Sequence, residues 1–354
     1  MSAGESDLSD SFRRLIAATG PISLAHYMAE ANARYYAGKD PLGSAGDFVT
    51  APEISQMFGE LAGLWLADLW VRAGRPLPVH YVELGPGRGT LARDALRAMK
   101  QAGLEPEIHL VETSPALRAI QAQRLPGAVH HHDMASLPEQ GALLLLANEF
   151  LDALPLRQLV RTPQGWRERM VVPAADDEGF ACIAGERPMD AAVPAERREA
   201  ARGAILETSP ATASVVAEAA RRLAAQGGAG LIIDYGYDAP QFGSTFQAVK
   251  AHRKVDPFRA PGTADLTAHV DFAAAAETAT AQGARWLGTA AQGVWLQALG
   301  IDARAAALAR HDPGQRAAVE AARHRLVDPE EMGALFKVMG LAHPAWPAGA
   351  GFAA

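Results

Sequence analysis

Short apolar runs recur along the chain, and each stops abruptly at polar residues. The run over 79–84 ends on Gly85-Pro86-Gly87-Arg88-Gly89, and the run over 107–111 on Glu112. Residues 142–147 lead into Asn148-Glu149-Phe150-Leu151-Asp152, and 231–233 into Asp234-Tyr235-Gly236. The stretch over 142–147 shows no alternation, which predicts a central parallel strand covered on both faces. Val129-His130-His131-His132-Asp133 reads as a shorter strand. Between these runs the spacing turns helical. Leu91, Ala95, Leu96 and Met99 share one face over 90–103, and Ser114-Pro115 opens a helix that ends near Pro126-Gly127. Strand, glycine turn and helix in succession open a nucleotide-binding βαβ unit, where backbone N–H groups and a helix N-terminus face the ligand.

The flanks follow other patterns. Residues 7–40 predict two helices separated by Pro21, the second ending at Gly38. In Gly46-Asp47-Phe48-Val49-Thr50-Ala51-Pro52-Glu53-Ile54-Ser55, the spacing Thr50-x-x-Glu53 fits a capping box. The helix it would start is amphipathic, with Ile54, Met57, Phe58, Leu61, Trp65 and Leu69 in register, and runs to about Ala73. The loop over 46–55 is expected to act as a lid over the ligand. From 156 to 202 the pattern becomes one of short strands, over 156–160, 166–172 and 180–184, read as an antiparallel insertion. A helix follows Glu207-Thr208-Ser209-Pro210, Ala-rich helices are expected over 270–282, 292–299 and 304–310, and Phe336-Lys337-Val338-Met339 reads as a last edge strand. The expected division is an N-terminal helical extension with the lid loop, 1–78, and an α/β core, 79–354, carrying the insertion 156–202.

The candidate chemistry sits at the strand ends. The glycines stand as Gly85-x-Gly87-x-Gly89, one residue short of the dinucleotide fingerprint. By itself such a turn also fits an ordinary tight turn. A ligand without phosphates needs room and a carboxylate for its ammonium group, and Glu83 could supply that carboxylate. Glu112, about one βα repeat further on, is placed to accept hydrogen bonds from both ribose hydroxyls. Turn and acid together favour an adenosyl ligand, S-adenosylmethionine before NAD. Asp133 and Met134 are candidates for contacts to the adenine. The polar cluster after 147 should border the same site, since open α/β sheets bind ligands beyond the carboxyl ends of their strands; helix-start carboxylates are the alternative reading.

Composition narrows the classes. The chain has 354 residues, 49% of them hydrophobic, enough for a sizeable core. Its formal charge of −7 argues against broad nucleic-acid binding, and Lys250-Ala251-His252-Arg253-Lys254 reads as a solvated loop. No apolar run has the length of a membrane span, so no membrane insertion is expected. The acidic, polar start differs from a signal or transit peptide, so a bacterial cytoplasmic location is expected. Cys182 alone excludes an internal disulfide and a cysteine-based zinc site. Alternation turns His131 away from His130 and His132, and no carboxylate pattern nearby matches a ligand set, so no metal is expected.

At this point the chain resembles the MidA-like S-adenosylmethionine-dependent methyltransferases, a family that includes an arginine methyltransferase of mitochondrial complex I assembly. The likeness rests on Gly46 to Ser55, Glu83 to Gly89, Glu112-Thr113-Ser114-Pro115, Asn148-Glu149-Phe150-Leu151-Asp152-Ala153-Leu154-Pro155, Asp234-Tyr235-Gly236 and Asp265-Leu266-Thr267-Ala268-His269-Val270-Asp271-Phe272. Phe246-Gln247-Ala248-Val249-Lys250 departs from it, since the family more often has Leu-Arg-Ala-Tyr there. The resemblance implies a class I (Rossmann-like, seven-stranded) methyltransferase core and protein arginine as the acceptor, on an NADH dehydrogenase subunit of respiratory complex I. It implies a cofactor site of Glu83, Gly85, Gly87, Gly89, Glu112, Thr113, Asp133, Met134 and Asn148.

A guanidinium is protonated under ordinary conditions and a poor nucleophile. Carboxylates that hold it in a bidentate geometry localise its charge and bare one nitrogen. Glu149 and Asp152 are the expected pair, with Asn148 orienting the acceptor and Glu207 and Asp234 in second rank. Two other readings stay open: an assembly chaperone that binds the cofactor with little turnover, and a small-molecule methyltransferase. A homodimer is a further expectation.

Overall fold

The computed structural model describes residues 8–38, 50–176, 178–250 and 253–352. Residues 46–49 of the expected lid loop, and Ala251 and His252 of the basic stretch, lie outside them, as do residues 1–7. The chain forms two compact units. One gathers Met1–Pro41, Ala153–Thr212 and Pro240–His269, the other Leu42–Asp152, Ala213–Ala239 and Val270–Ala354. The stretch expected as an extension over 1–78 is thus shared between the units.

The second unit is built on one sheet. Besides the short Val270–Asp271, which pairs parallel with Gly236 and Tyr237, its strands are β1 Val79–Leu84, β2 Glu107–Val111, β3 Val129–His131, β4 Ala142–Asn148, β5 Gly228–Tyr237, β6 Arg285–Ala291 and β7 Phe336–Ala342. They lie in the order β3-β2-β1-β4-β5-β7-β6. The pairings from β3 through β5 are parallel, and β7 runs antiparallel to both β5 and β6. Every residue of β1 and β4 is buried, as the unbroken apolar run of β4 requires, and in β1 that includes His80 and Glu83. The order reverses direction at β1 and β4, and the crevice at that switch is where an open sheet places its ligand.

Two strand readings are corrected here. The segment expected as an edge strand, β7, lies inside the sheet, and the edge is β6, for which the sequence pattern predicts no strand. β7 pairs on both sides because a strand returning antiparallel can slot between two others.

The helix after the lid loop also differs. Thr50 precedes a single turn, Ala51–Ile54, and its side chain makes no capping bond. Ser55 caps the long helix Gln56–Arg72 instead, its hydroxyl accepting the Met57 N–H at 3.2 Å. Glu53 does not complete a capping box; its carboxylate accepts the Thr90 hydroxyl at 2.5 Å. The long helix is buried nearly all round, Gly59, Ala62 and Gly63 as well as Phe58 and Trp65. A Cβ on Gly63 would stand 2.4 Å from the Ala95 carbonyl, so the glycine lets this helix meet Thr90–Gln101 backbone to backbone.

The other unit carries the insertion. Arg157–Thr162, Gly165–Pro173, Phe180–Pro188 and Ile205–Thr208 pair antiparallel, and Ile22–Ser23 joins from the N-terminal segment. Helices Leu8–Thr19 and Leu24–Gly38 pack Phe12, Tyr27 and Met28 into a core with Val171, Phe180 and Leu266.

Candidate cofactor site

The ends of β1 to β4 border a cavity of ≈ 520 Å³ within the second unit. Gly85, at the head of the glycine turn, forms part of one wall. Gly85, Gly87 and Gly89 all have φ between 53° and 76°, a region open to glycine and costly for other residues. The Gly85 N–H donates to Val111 at 3.0 Å, and a Cβ on Gly85 would lie 2.6 Å from the Phe150 ring. That turn requires glycine on both counts.

Glu112 closes β2. Its Oε1 accepts the Ser114 N–H at 2.8 Å, and Oε2 accepts Gln121 Nε2 at 3.4 Å. Burial pushes its pKa up, and the bonds from Ser114 and Gln121 act against that. Gln121 also donates to the Gly87 carbonyl at 2.6 Å and meets His130 Nε2 at 3.1 Å. One fully buried amide therefore ties the glycine turn, the ribose candidate and β3 together. Asp133 caps the short turn Met134–Ser136 through the Ala135 N–H at 2.9 Å.

Of the expected cofactor residues, Gly85, Glu112, Thr113, Asp133 and Met134 line the cavity, together with Phe150. Glu83, Gly87, Gly89 and Asn148 stand at the same strand ends and helix start but outside that lining. Ser214, Val215 and Glu218, from the helix Pro210–Gln226, line it too and had been assigned no role. Ser214 and Glu218 are one helical turn apart, a spacing visible in sequence but shared with most helices.

Glu83 is buried and accepts a hydrogen bond from the Tyr81 hydroxyl. Burial pushes its pKa up to about 8, against that bond. Asn148 donates to Glu149 at 3.3 Å, while its own Oδ1 is buried with no hydrogen-bond partner among the described residues. Glu149 follows with φ +49°, a strained conformation for a residue with a side chain, and its carboxylate accepts the Ala51 N–H at 3.1 Å. Burial pushes Glu149 up to about 8, and Asp152 nearby acts the same way.

Asp234 is not available to a ligand. Its Oδ2 accepts the N–H groups of Phe150, Leu151 and Asp152, and its Oδ1 accepts that of Tyr235. The second-rank catalytic reading of Asp234 therefore gives way to an anchoring one. Glu207 lies in the other unit, where Thr245 and Gln158 occupy its carboxylate.

The residues present fit an adenosyl ligand: a buried acid at the end of β2, a turn shaped for close backbone approach, and an unpartnered amide oxygen at the end of β4. Sheet order, switch point and site together define a class I methyltransferase. The chain belongs to the family of S-adenosyl-L-methionine-dependent methyltransferases, whose model matches residues 61–290. It is 38% identical to the zebrafish (Danio rerio) protein arginine methyltransferase NDUFAF7, mitochondrial, over 93% of this chain and 85% of that one. The human NDUFAF7 is 35% identical over 92% and 81%. A Burkholderia thailandensis crystal structure bound to S-adenosyl-homocysteine superposes with a TM-score of 0.83 at 29% identity, covering 97% and 95%. S-adenosyl-L-methionine is the cofactor. The expected bacterial cytoplasmic location is corrected, because these NDUFAF7 relatives are named as mitochondrial proteins. Among the described residues no helix is long and apolar enough to cross a membrane.

Proposed function

We propose that this methyltransferase acts on protein arginine. The observation that carries the reading is the pair Glu149 and Asp152 in the loop after β4, on either side of the cavity-lining Phe150, with Glu149 held at a strained φ and its pKa raised by burial. The relatives named as arginine methyltransferases support it. Glu112 holds the ribose hydroxyls, Asp133 and Met134 border the adenine with Thr113 beside them, and Glu83 faces the ammonium group. Gly85, Gly87 and Gly89 leave room for backbone approach, and Asn148 turns its free Oδ1 to the ligand. When bound, the cofactor supplies an electrophilic methyl group. Glu149 and Asp152 grip the guanidinium and bare one nitrogen, so that much of the rate comes from positioning. A cation entering beside Glu149 draws its pKa back down, leaving it ionised in the complex.

The acceptor is a respiratory complex I subunit in this reading, and the protein pairs with itself. Incubation of the purified chain with labelled S-adenosyl-L-methionine and an NADH dehydrogenase preparation, followed by mass spectrometry, should place the methyl group on arginine. Label on another residue, or on a small molecule alone, would overturn the arginine reading. Light scattering on the eluting protein checks the dimer, and a monomer mass removes it.

A further inference from the structure

We propose that His80, Glu107 and His109 form a binding site for a divalent ion of the zinc class. The three stand at the beginning of β1 and β2, the end of these strands away from the glycine turn. The register pairs His80 with Glu107 and Val82 with His109, so the three side chains fall on one face of adjacent strands. Their ligand atoms converge. His80 Nδ1 lies 3.2 Å from His109 Nε2, and Glu107 Oε2 lies 3.4 Å from the first and 3.8 Å from the second. Two ligands bound tetrahedrally at zinc distances are about 3.3 Å apart. The triad already has nearly that spacing, and imidazole with carboxylate is a donor set that zinc accepts.

The outer partners orient both rings. The Gln140 carbonyl can only accept, and it sits 2.9 Å from His80 Nε2, so that nitrogen keeps the proton and Nδ1 presents a lone pair inward. A Cβ on Gly141 would stand 2.7 Å from His80 Nε2, so glycine there leaves the ring its place. His109 Nδ1 faces His131 Nε2 at 3.0 Å, and His131 Nδ1 faces Ser136 Oγ at 2.9 Å. A hydroxyl both donates and accepts, so this row can run in either direction. With an ion on His109 Nε2, Nδ1–H donates to His131, whose own Nδ1–H donates to Ser136. Each ligating imidazole thus has its second nitrogen engaged, as metal-bound histidines require. Glu107 is exposed while both histidines are buried, so its side is the route of entry and leaves a fourth position to water.

The test uses the full chain, dialysed against chelator and titrated with cobalt chloride. The intense visible bands of four-coordinate cobalt should appear, saturate at roughly one ion per chain and vanish when zinc chloride displaces it. Zinc should also raise the melting temperature. Glu107→Gln, an exposed change whose fold is checked by circular dichroism, should weaken binding roughly tenfold or more. His109→Gln should abolish the bands, and His132→Gln, outside the triad, should leave them intact. Absence of saturable binding by the unmodified chain overturns the site. So does full affinity in Glu107→Gln, or loss of the bands in His132→Gln, which would assign the ion to the exposed histidines.

Discussion

The carboxylate of Asp234 accepts the backbone N–H of Leu151 at 3.0 Å, and those of Phe150 and Asp152 at 3.2 Å. A side chain at the end of β5 thereby fixes the loop that follows β4. Burial and the neighbouring Asp152 and Glu149 push the Asp234 pKa well up, and the N–H bonds act against them. Asp234→Asn would turn an amide nitrogen towards N–H donors. The expected loss is about 2 kcal/mol in urea unfolding, with weaker cofactor binding, since a buried backbone N–H is left without an acceptor. Unchanged stability would dismiss the anchor.

Gly85→Ala places a methyl group against the Phe150 ring at a positive φ. The backbone alone should cost about 1 kcal/mol, and displacing Phe150 should reduce S-adenosyl-L-methionine affinity in calorimetry. Combining it with Phe150→Ala should recover part of the affinity, because the two changes share one contact. Additive losses would place the clash elsewhere.

Glu112 carries the ribose assignment. S-adenosyl-L-methionine or its demethylated product should raise the melting temperature of the unmodified protein, and NADH should not. Glu112→Ala should lower cofactor affinity at least roughly tenfold, about 1.4 kcal/mol. Equal affinity would remove Glu112 from the site.

Glu149→Gln and Asp152→Asn separate binding from chemistry. Both should fold and bind S-adenosyl-L-methionine nearly as the unmodified chain does, while methyl transfer falls at least roughly tenfold. Full activity in the folded variants removes both residues from the mechanism, and loss of cofactor binding moves them into the cofactor site.

The same carboxyl gives a pH signature. Glu149 has its pKa raised from 4.5 to about 8, so the folded state holds a proton that the unfolded state has lost between those values. Its contribution to stability is complete below 4.5 and disappears as pH rises through 8. Glu149→Gln should therefore flatten the fall in stability across that window. Activity runs the other way: kcat/KM for the acceptor should rise with pH up to about 8, because the free enzyme must lose this proton. A flat profile would exclude Glu149 as the ionised grip.

The sequence by itself determined the strands that carry the site and the residues that end them. Apolar-rich runs that stop at Gly85, Glu112 and Asn148 are local patterns, and burial within a parallel sheet accounts for them. The polarity of a strand's last residue is likewise local, so the acids were legible although their partners were not. Only the tertiary structure decided which acids face the cavity. Glu112 and Asp133 line it, whereas Asp234 and Glu149 each accept backbone N–H groups more than eighty positions away. Gln121 carried no signal, because its partners Gly87, Glu112 and His130 come from three separate segments. His80, Glu107 and His109 belong to two strands, so their convergence is invisible along the chain, whereas His130, His131 and His132 form a visible run. β7 was read as an edge because its apolar run looks the same in either place. Its neighbours on both sides are long-range partners, and pairing across that distance is a property of the folded sheet.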